Sequence, residues 1–249
     1  MIYITGDTHG GFHRFTTSNF PQQKQMDHND YVIITGDFGG VWDGSGEELY
    51  WLDWLNERPF TTLFLDGNHE NFDMLNALPQ KIWHGGRVHE VRPNVLHLMR
   101  GQVFEIDEAA FFTMGGGASH DIQDGILNPA SPNFKQEYRF KRKTQQMFRV
   151  KGVSWWPEEL PTDVEYEEAV KNLDRIGWRV DCILTHCAPT SIVKKLGKGY
   201  DPDQLTDFLE SIRQRCRFDY WFMGHYHRNQ LIDDRFIIQW EQMVELRWE

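Results

Sequence analysis

Five short runs of apolar, β-branched and aromatic residues punctuate the chain, and each stops at a polar cluster. They are Met1 to Thr5, Tyr31 to Gly36, Thr61 to Leu65, Val180 to Thr185 and Tyr220 to Met223. None alternates apolar with polar, so each reads as a strand buried on both faces, the pattern of parallel strands covered by helices. From Glu47 to Asn56, Leu49, Leu52 and Leu55 recur at helical spacing beside Trp51 and Trp54, which predicts a crossover helix with its tryptophans packed inward. Residues 12–30 read as polar helix and loop, with His13 and His28 at the surface. Asn71 to Leu78 is a short helix stopped by Pro79. Four brief strands follow as a β-meander: Val88 to Val91, Val95 to Leu98, Gln102 to Ile106 and Ala110 to Met114. His84, His89 and His97 are structural there. An acidic helix runs from Thr162 to Ile176, capped by Thr162 or Asp163, and another from Pro202 to Gln214. Arg235 to Trp240 and Met243 to Trp248 read as a closing antiparallel pair. This alternation predicts an α/β fold, and without repeats or linkers the chain reads as a single domain over 1–249.

The chemistry sits where the apolar runs stop. The ends read Gly6-Asp7-Thr8-His9-Gly10-Gly11, Gly36-Asp37, Gly67-Asn68-His69-Glu70, His186-Cys187 and Gly224-His225-Tyr226-His227. Asp7 and His9 are two apart, as are His225 and His227, so in extended backbone each pair shares a face. In a parallel sheet such ends gather on one edge. Five of the 11 histidines fall at these points, which satisfied core histidines would not produce. Imidazole, carboxylate and amide oxygen suit manganese, iron, zinc or nickel and suit calcium or cuprous ions poorly. Seven donors exceed what one ion needs. Two ions sharing a bridging carboxylate, at the ~3.5–4 Å spacing of two-metal hydrolases, fit better.

Composition narrows the field. The 26 lysines and arginines against 37 aspartates and glutamates leave a formal charge of −11, which argues against a general nucleic-acid binder. Cys182, Cys187 and Cys216 are sparse, odd in number and without metal spacing, as in a reduced compartment. No signal-like leader and no apolar run of ~18 residues is present; the expected location is cytoplasmic, with no membrane partner. One basic island, Lys135, Arg139, Lys141, Arg142, Lys143 and Arg149, reads as a solvated helix face. Gly115-Gly116-Gly117-Ala118-Ser119-His120-Asp121 reads either as a backbone cradle for phosphate or as a plain flexible turn.

Taken in order, the five strand ends resemble the five motifs of the calcineurin-like metallophosphoesterase superfamily. The resemblance spans residues 6 to 227. It implies a four-layer α/β/β/α sandwich of two mixed sheets flanked by helices, with a dinuclear centre on its loops. By motif position, Asp7, His9 and His227 hold one metal, Asn68, His186 and His225 the other, and Asp37 bridges. A hydroxide between the metals is the implied nucleophile. His69 is the implied catalytic histidine on the scissile phosphate, and Glu70 orients a neighbour. The resemblance departs from the protein Ser/Thr phosphatases, whose second motif continues Gly-Asp-x-x-Asp-Arg-Gly; here Phe38-Gly39-Gly40-Val41 follows Asp37. Asn71-Phe72-Asp73 likewise lacks the arginine found after their third motif. Both phosphate-clamping arginines are therefore missing. The Gly115 to Asp121 and Ser154 to Glu159 segments resemble small bacterial and phage metallophosphoesterases. The resulting expectation is a dinuclear, manganese-type hydrolase of a small phosphomonoester or phosphodiester, with nucleotides among the candidates. Two alternatives stay open: a catalytically silent scaffold of this fold that binds a protein, and a nuclease-type phosphodiesterase supported by the basic island.

Overall fold

The computed structural model describes residues 1–197 and 199–247. In chain order its strands are β1 (Ile2–Thr5), β2 (Tyr31–Ile34), β3 (Thr61–Phe64), β4 (Gln80–Trp83), β5 (Gly86–Arg92), β6 (Val95–Leu98), β7 (Gln102–Ile106), β8 (Ala109–Met114), β9 (Ile126–Leu127), β10 (Arg149–Val150), β11 (Cys182–Thr185), β12 (Tyr220–Met223), β13 (Gln230–Ile232), β14 (Phe236–Ile238) and β15 (Val244–Leu246). The helices are α1 (Gly46–Asn56), α2 (Phe72–Asn76), α3 (Phe134–Lys143), α4 (Asp163–Arg175), α5 (Thr190–Leu196) and α6 (Gln204–Arg215). Two large mixed sheets result, ordered β15-β1-β2-β3-β6-β5-β4 and β13-β14-β12-β11-β8-β7. Each has a parallel centre and antiparallel edges: β1, β2, β3 and β6 run together in the first, and β14, β12, β11 and β8 in the second.

Strand side chains alternate between two cores, which is why the runs are apolar throughout. Ile2, Ile4, Ile33, Leu63 and Leu96 meet Phe104, Phe111, Cys182, Leu184 and Phe222 in a core between the sheets. Tyr3, Val32, Ile34 and Phe64 face the other way, onto Leu52 and Leu55 of α1. Ile183 and Trp221 face Ala169, Leu173, Leu205 and Leu209 of α4 and α6. Three cores separate four layers, the expected sandwich. Helix ends carry their own signals. Thr162 and Glu165 form a capping box on α4, and Asp203 with Thr206 does the same for α6.

Three strand expectations change. The expected meander is divided: β5 and β6 pair in the first sheet, β7 and β8 in the second, and the chain crosses at Met99–Gly101, where Gly101 takes φ +69°. The C-terminal segments are not a closing pair. β14 lies between β12 and β13, whereas β15 pairs antiparallel with β1 in the other sheet; Trp248 lies outside the described residues. The crossing is made by buried Gln239, whose N–H donates to Met223 O and whose Nε2 donates to Ile4 O, each at 2.8 Å. β4 was not anticipated, because its alternating exposure leaves only a weak apolar run. Among the described residues no helix is long and apolar enough to cross a membrane.

Candidate metal centre

The ends of β1, β2 and β3 meet those of β11 and β12 at the seam between the sheets. Backbone bonds zip the loops together: Thr8 and His9 N–H groups donate to Asp37 O at 3.1 and 2.8 Å. The His69 N–H donates to Asp37 Oδ1 at 2.8 Å. The His225 N–H reaches both oxygens of Asp7, at 3.1 and 3.2 Å. From behind, the Arg14 guanidinium donates to the carbonyls of Gly6, Asp7 and Trp240. Glu70 is buried and accepts from the Phe38 and Gly39 N–H groups, so it orients the Asp37 loop as expected of it.

All seven predicted donors converge. Asp7, His9 and His227 form one grouping able to hold a cation, and Asp7, Asp37 and His186 another, with the donor atoms of each within 4.8 Å of one another. His227 Nε2 lies 3.2 Å from Asp7 Oδ2 and 3.1 Å from His9 Nε2. His186 Nε2 is 3.4 Å from Asp37 Oδ1, 3.3 Å from Asn68 Oδ1 and 3.2 Å from His225 Nδ1. The Asn68 amide donates through Nδ2 to Ser119 Oγ at 3.4 Å, which leaves Oδ1 turned towards His186. Non-glycine residues seldom take positive φ, yet His9 (46°), Asp37 (46°), His225 (68°) and His227 (45°) all do. At about 1–3 kcal/mol each, that much backbone strain marks a place where geometry is held for a purpose.

The residues present fit a pair of cations. Three glycines keep the donors clear. A Cβ at Gly67 would stand 2.0 Å from Asp37 Oδ1, one at Gly36 2.1 Å from His186 Nδ1, and one at Gly224 2.1 Å from Asp7 Oδ1. The charge balance agrees. Burial alone would lower the pKa of His186, but Asp37 and Asp7 overcome it and hold that imidazole up to about 10. Burial would raise Asp37, yet His186, His69 and His9 keep it well below the ordinary carboxylate range. Two buried carboxylates, Asp7 and Asp37, thus face His186 in a pocket that favours positive charge. Burial lowers His9 and His69, and for His225 the neighbouring His186 adds to burial. A hydrogen bond to Asp7 raises His227.

Other site residues escaped sequence reasoning. Arg149 belongs not to a solvated helix face but to β10, where Nη2 lies 3.4 Å from His69 Nδ1 and the guanidinium pairs with Asp121. The rest of the basic island, on or beside α3, stays largely at the surface. His120 Nε2 sits 2.8 Å from His225 Nε2, opposite the Nδ1 that faces His186, so it orients that ring. The Gly115 to Asp121 segment commits three amides within the fold, so these are not free to cradle a phosphate. Its Gly116, Gly117 and Ser119 amides are spent on Asp66 O, Glu159 O and Glu159 Oε1. The only advance signal for His120 and Asp121 was their place after a glycine-rich strand end.

Comparison with curated proteins finds no match. A family model described as calcineurin-like phosphoesterase matches residues 1–229 of the 249, from before the first donor, Asp7, to beyond the last, His227. The motifs, the two-sheet architecture and this match agree, and the chain belongs to the calcineurin-like phosphoesterase family.

Proposed function

We propose that the protein is a dinuclear metal-dependent hydrolase of small phosphate esters. The observation that carries this reading is the convergence of seven donors from both sheets around Asp37, held by strained backbone and cleared by three glycines. Asp7, His9 and His227 would hold one ion, Asn68, His186 and His225 the second, and Asp37 both; manganese, iron, zinc and nickel suit this set. Bound, such ions supply Lewis acidity, polarising phosphoryl oxygens and acidifying water.

The chain's own residues do the rest. Arg149, hinged on Asp121 and beside His69, presents a guanidinium where the phosphoryl group must enter, the kind of clamp the second and third motifs lack. Burial lowers the pKa of His69, so its ring is a neutral hydrogen-bond donor. With Nδ1 3.4 Å from Arg149 Nη2, its Nε2–H is left for a phosphoryl or departing oxygen and would stabilise charge building there. Glu70 holds the Phe38–Gly39 turn, so the Asp37 carboxylate stays aimed. The complete donor set and poised His69 weigh against a silent scaffold, and the net charge of −11 weighs against a long nucleic acid.

Metal analysis with a paired assay, p-nitrophenyl phosphate and its bis-ester with manganese supplied, tests the reading. Near two equivalents of metal and turnover of one ester are expected. Asp37→Asn should lose both, while His69→Asn should keep its metal and turn over slowly. A protein without metal and without turnover, or an Asp37→Asn variant that retains full activity, would overturn it.

A further inference from the structure

A cavity of about 460 Å³ opens directly from the centre, sharing His9, His69 and Arg149 with it. Its floor runs through Gly39 and Gly40. Gly39 takes φ +65°, and a Cβ there would press to 2.7 Å on the Gly10 backbone; at Gly40 one would stand 2.5 Å from the Phe38 ring. No side chain can therefore rise between the reacting centre and the far wall. That wall is Phe12, buried, with Trp42 and Trp51, both half-exposed. Trp51 does pack inward as its helical spacing predicts, but it also lines this space. The rim carries Asp43 and Glu47, both exposed, and Glu48, which accepts from the Trp42 and Asp43 N–H groups and so braces the wall.

Resting on the phosphoesterase reading, we propose that the ester's organic half is a nucleoside, with its base in the cavity lined by Trp42 and Trp51 and its phosphate under Arg149. The size, within the ~300–1,000 Å³ of small-molecule pockets, would leave a lone phenyl ring loosely held. Indole walls favour a flat π-system, each base–aromatic contact being worth ~1–3 kcal/mol. Rim carboxylates accept from a base's exocyclic amine.

Adenosine 5′-monophosphate and ribose 5-phosphate share the phosphate and its ester bond and differ only in the base. Calorimetry of the manganese-loaded full chain with the non-hydrolysable phosphonate analogues of the two should show the nucleotide analogue binding at least tenfold tighter. In Trp42→Leu/Trp51→Leu the difference should fall to within twofold, with the ribose 5-phosphate analogue unchanged. Equal binding of the two by the wild-type protein, a measurement that needs no variant, would overturn the assignment, as would a preference that survives in the double variant. Turnover is read separately. Base-dependent binding with no hydrolysis of any ester under manganese would sink the phosphoesterase reading and uphold the pocket.

Discussion

Replacing Arg100 by methionine strips the largely buried Asp66 carboxylate of its main counter-charge. The two side chains are 5% and 1% exposed. Arg100 donates from Nε and Nη2 to Asp66 Oδ2 at 2.8 and 2.6 Å, and from Nη2 to the Glu158 carbonyl at 2.7 Å. Among the described residues His97, its Nε2 3.0 Å from Oδ1, would remain hydrogen-bonded to the carboxylate. Breaking a buried pair from one side costs about 3–5 kcal/mol, because the remaining charge keeps its desolvation penalty. With a urea slope of ~3 kcal/mol/M for a chain of this length, the midpoint should drop by roughly 1 M or more. Urea unfolding followed by both tryptophan fluorescence and far-UV circular dichroism measures it. Acid supplies a second check. Burial alone would raise Asp66, but Arg100 and His97 hold it below the ordinary carboxylate range. That depressed folded value contributes stability above the unfolded value and loses it as pH falls through the folded one. The gap between wild type and variant should therefore be widest near pH 7 and narrow in acid. Asp66→Asn/Arg100→Met should cost far less than the sum of its single changes. A loss below ~1 kcal/mol, or strict additivity, would refute the claim that this pair is a committed buried charge.

Two more expectations follow from a buried histidine and a half-buried cation. Burial, with His97 and Arg87 adding to it against Asp66, pushes His89 down to about 4. Because the folded protein resists protonating it, His89 should contribute a loss of roughly 2–3 kcal/mol of stability as pH drops from ~6.5 to ~4; His89→Phe should shallow the slope by that share, leaving the part due to His9, His69 and His225, and an unchanged pH profile of the urea midpoint would contradict it. Arg149→Ala should lower kcat/KM for phosphate esters by ~10²-fold with metal content intact, and Arg149→Lys should restore little, since one ammonium cannot form the paired bonds of a guanidinium. Steady-state kinetics beside metal analysis would show it, and equal activity of all three proteins would remove Arg149 from the site.

The strand ends were legible because a run buried on both faces and stopped by Asp, Asn or His is rare without a use. Asp7, His9, Asp37, Asn68, His186, His225 and His227 all meet where that pattern placed them. Sheet partnership was not legible. Nothing local in Arg235 to Trp240 says that it pairs with β12 and β13 while the next segment returns to β1, since partner choice is settled by which core each face completes. Arg149 was hidden for a related reason. It sits among the basic residues of α3 in sequence and reaches His69, eighty residues away, only through the β9–β10 pairing.

The seam between the sheets also sets when the chain can first become competent. Its donors come in two instalments, Asp7 to Asn68 and then His186 to His227, separated by more than a hundred residues of scaffold. A nascent chain on the ribosome carries four of the seven early, yet lacks β11 and β12 of the second sheet, whose ends bring the other three. β1, the first of the described strands, keeps its outer edge open until β15, the last of them, closes it. Reactivity and edge protection thus arrive together, so an interrupted translation product would be both inert and prone to pair its bare edge with another chain.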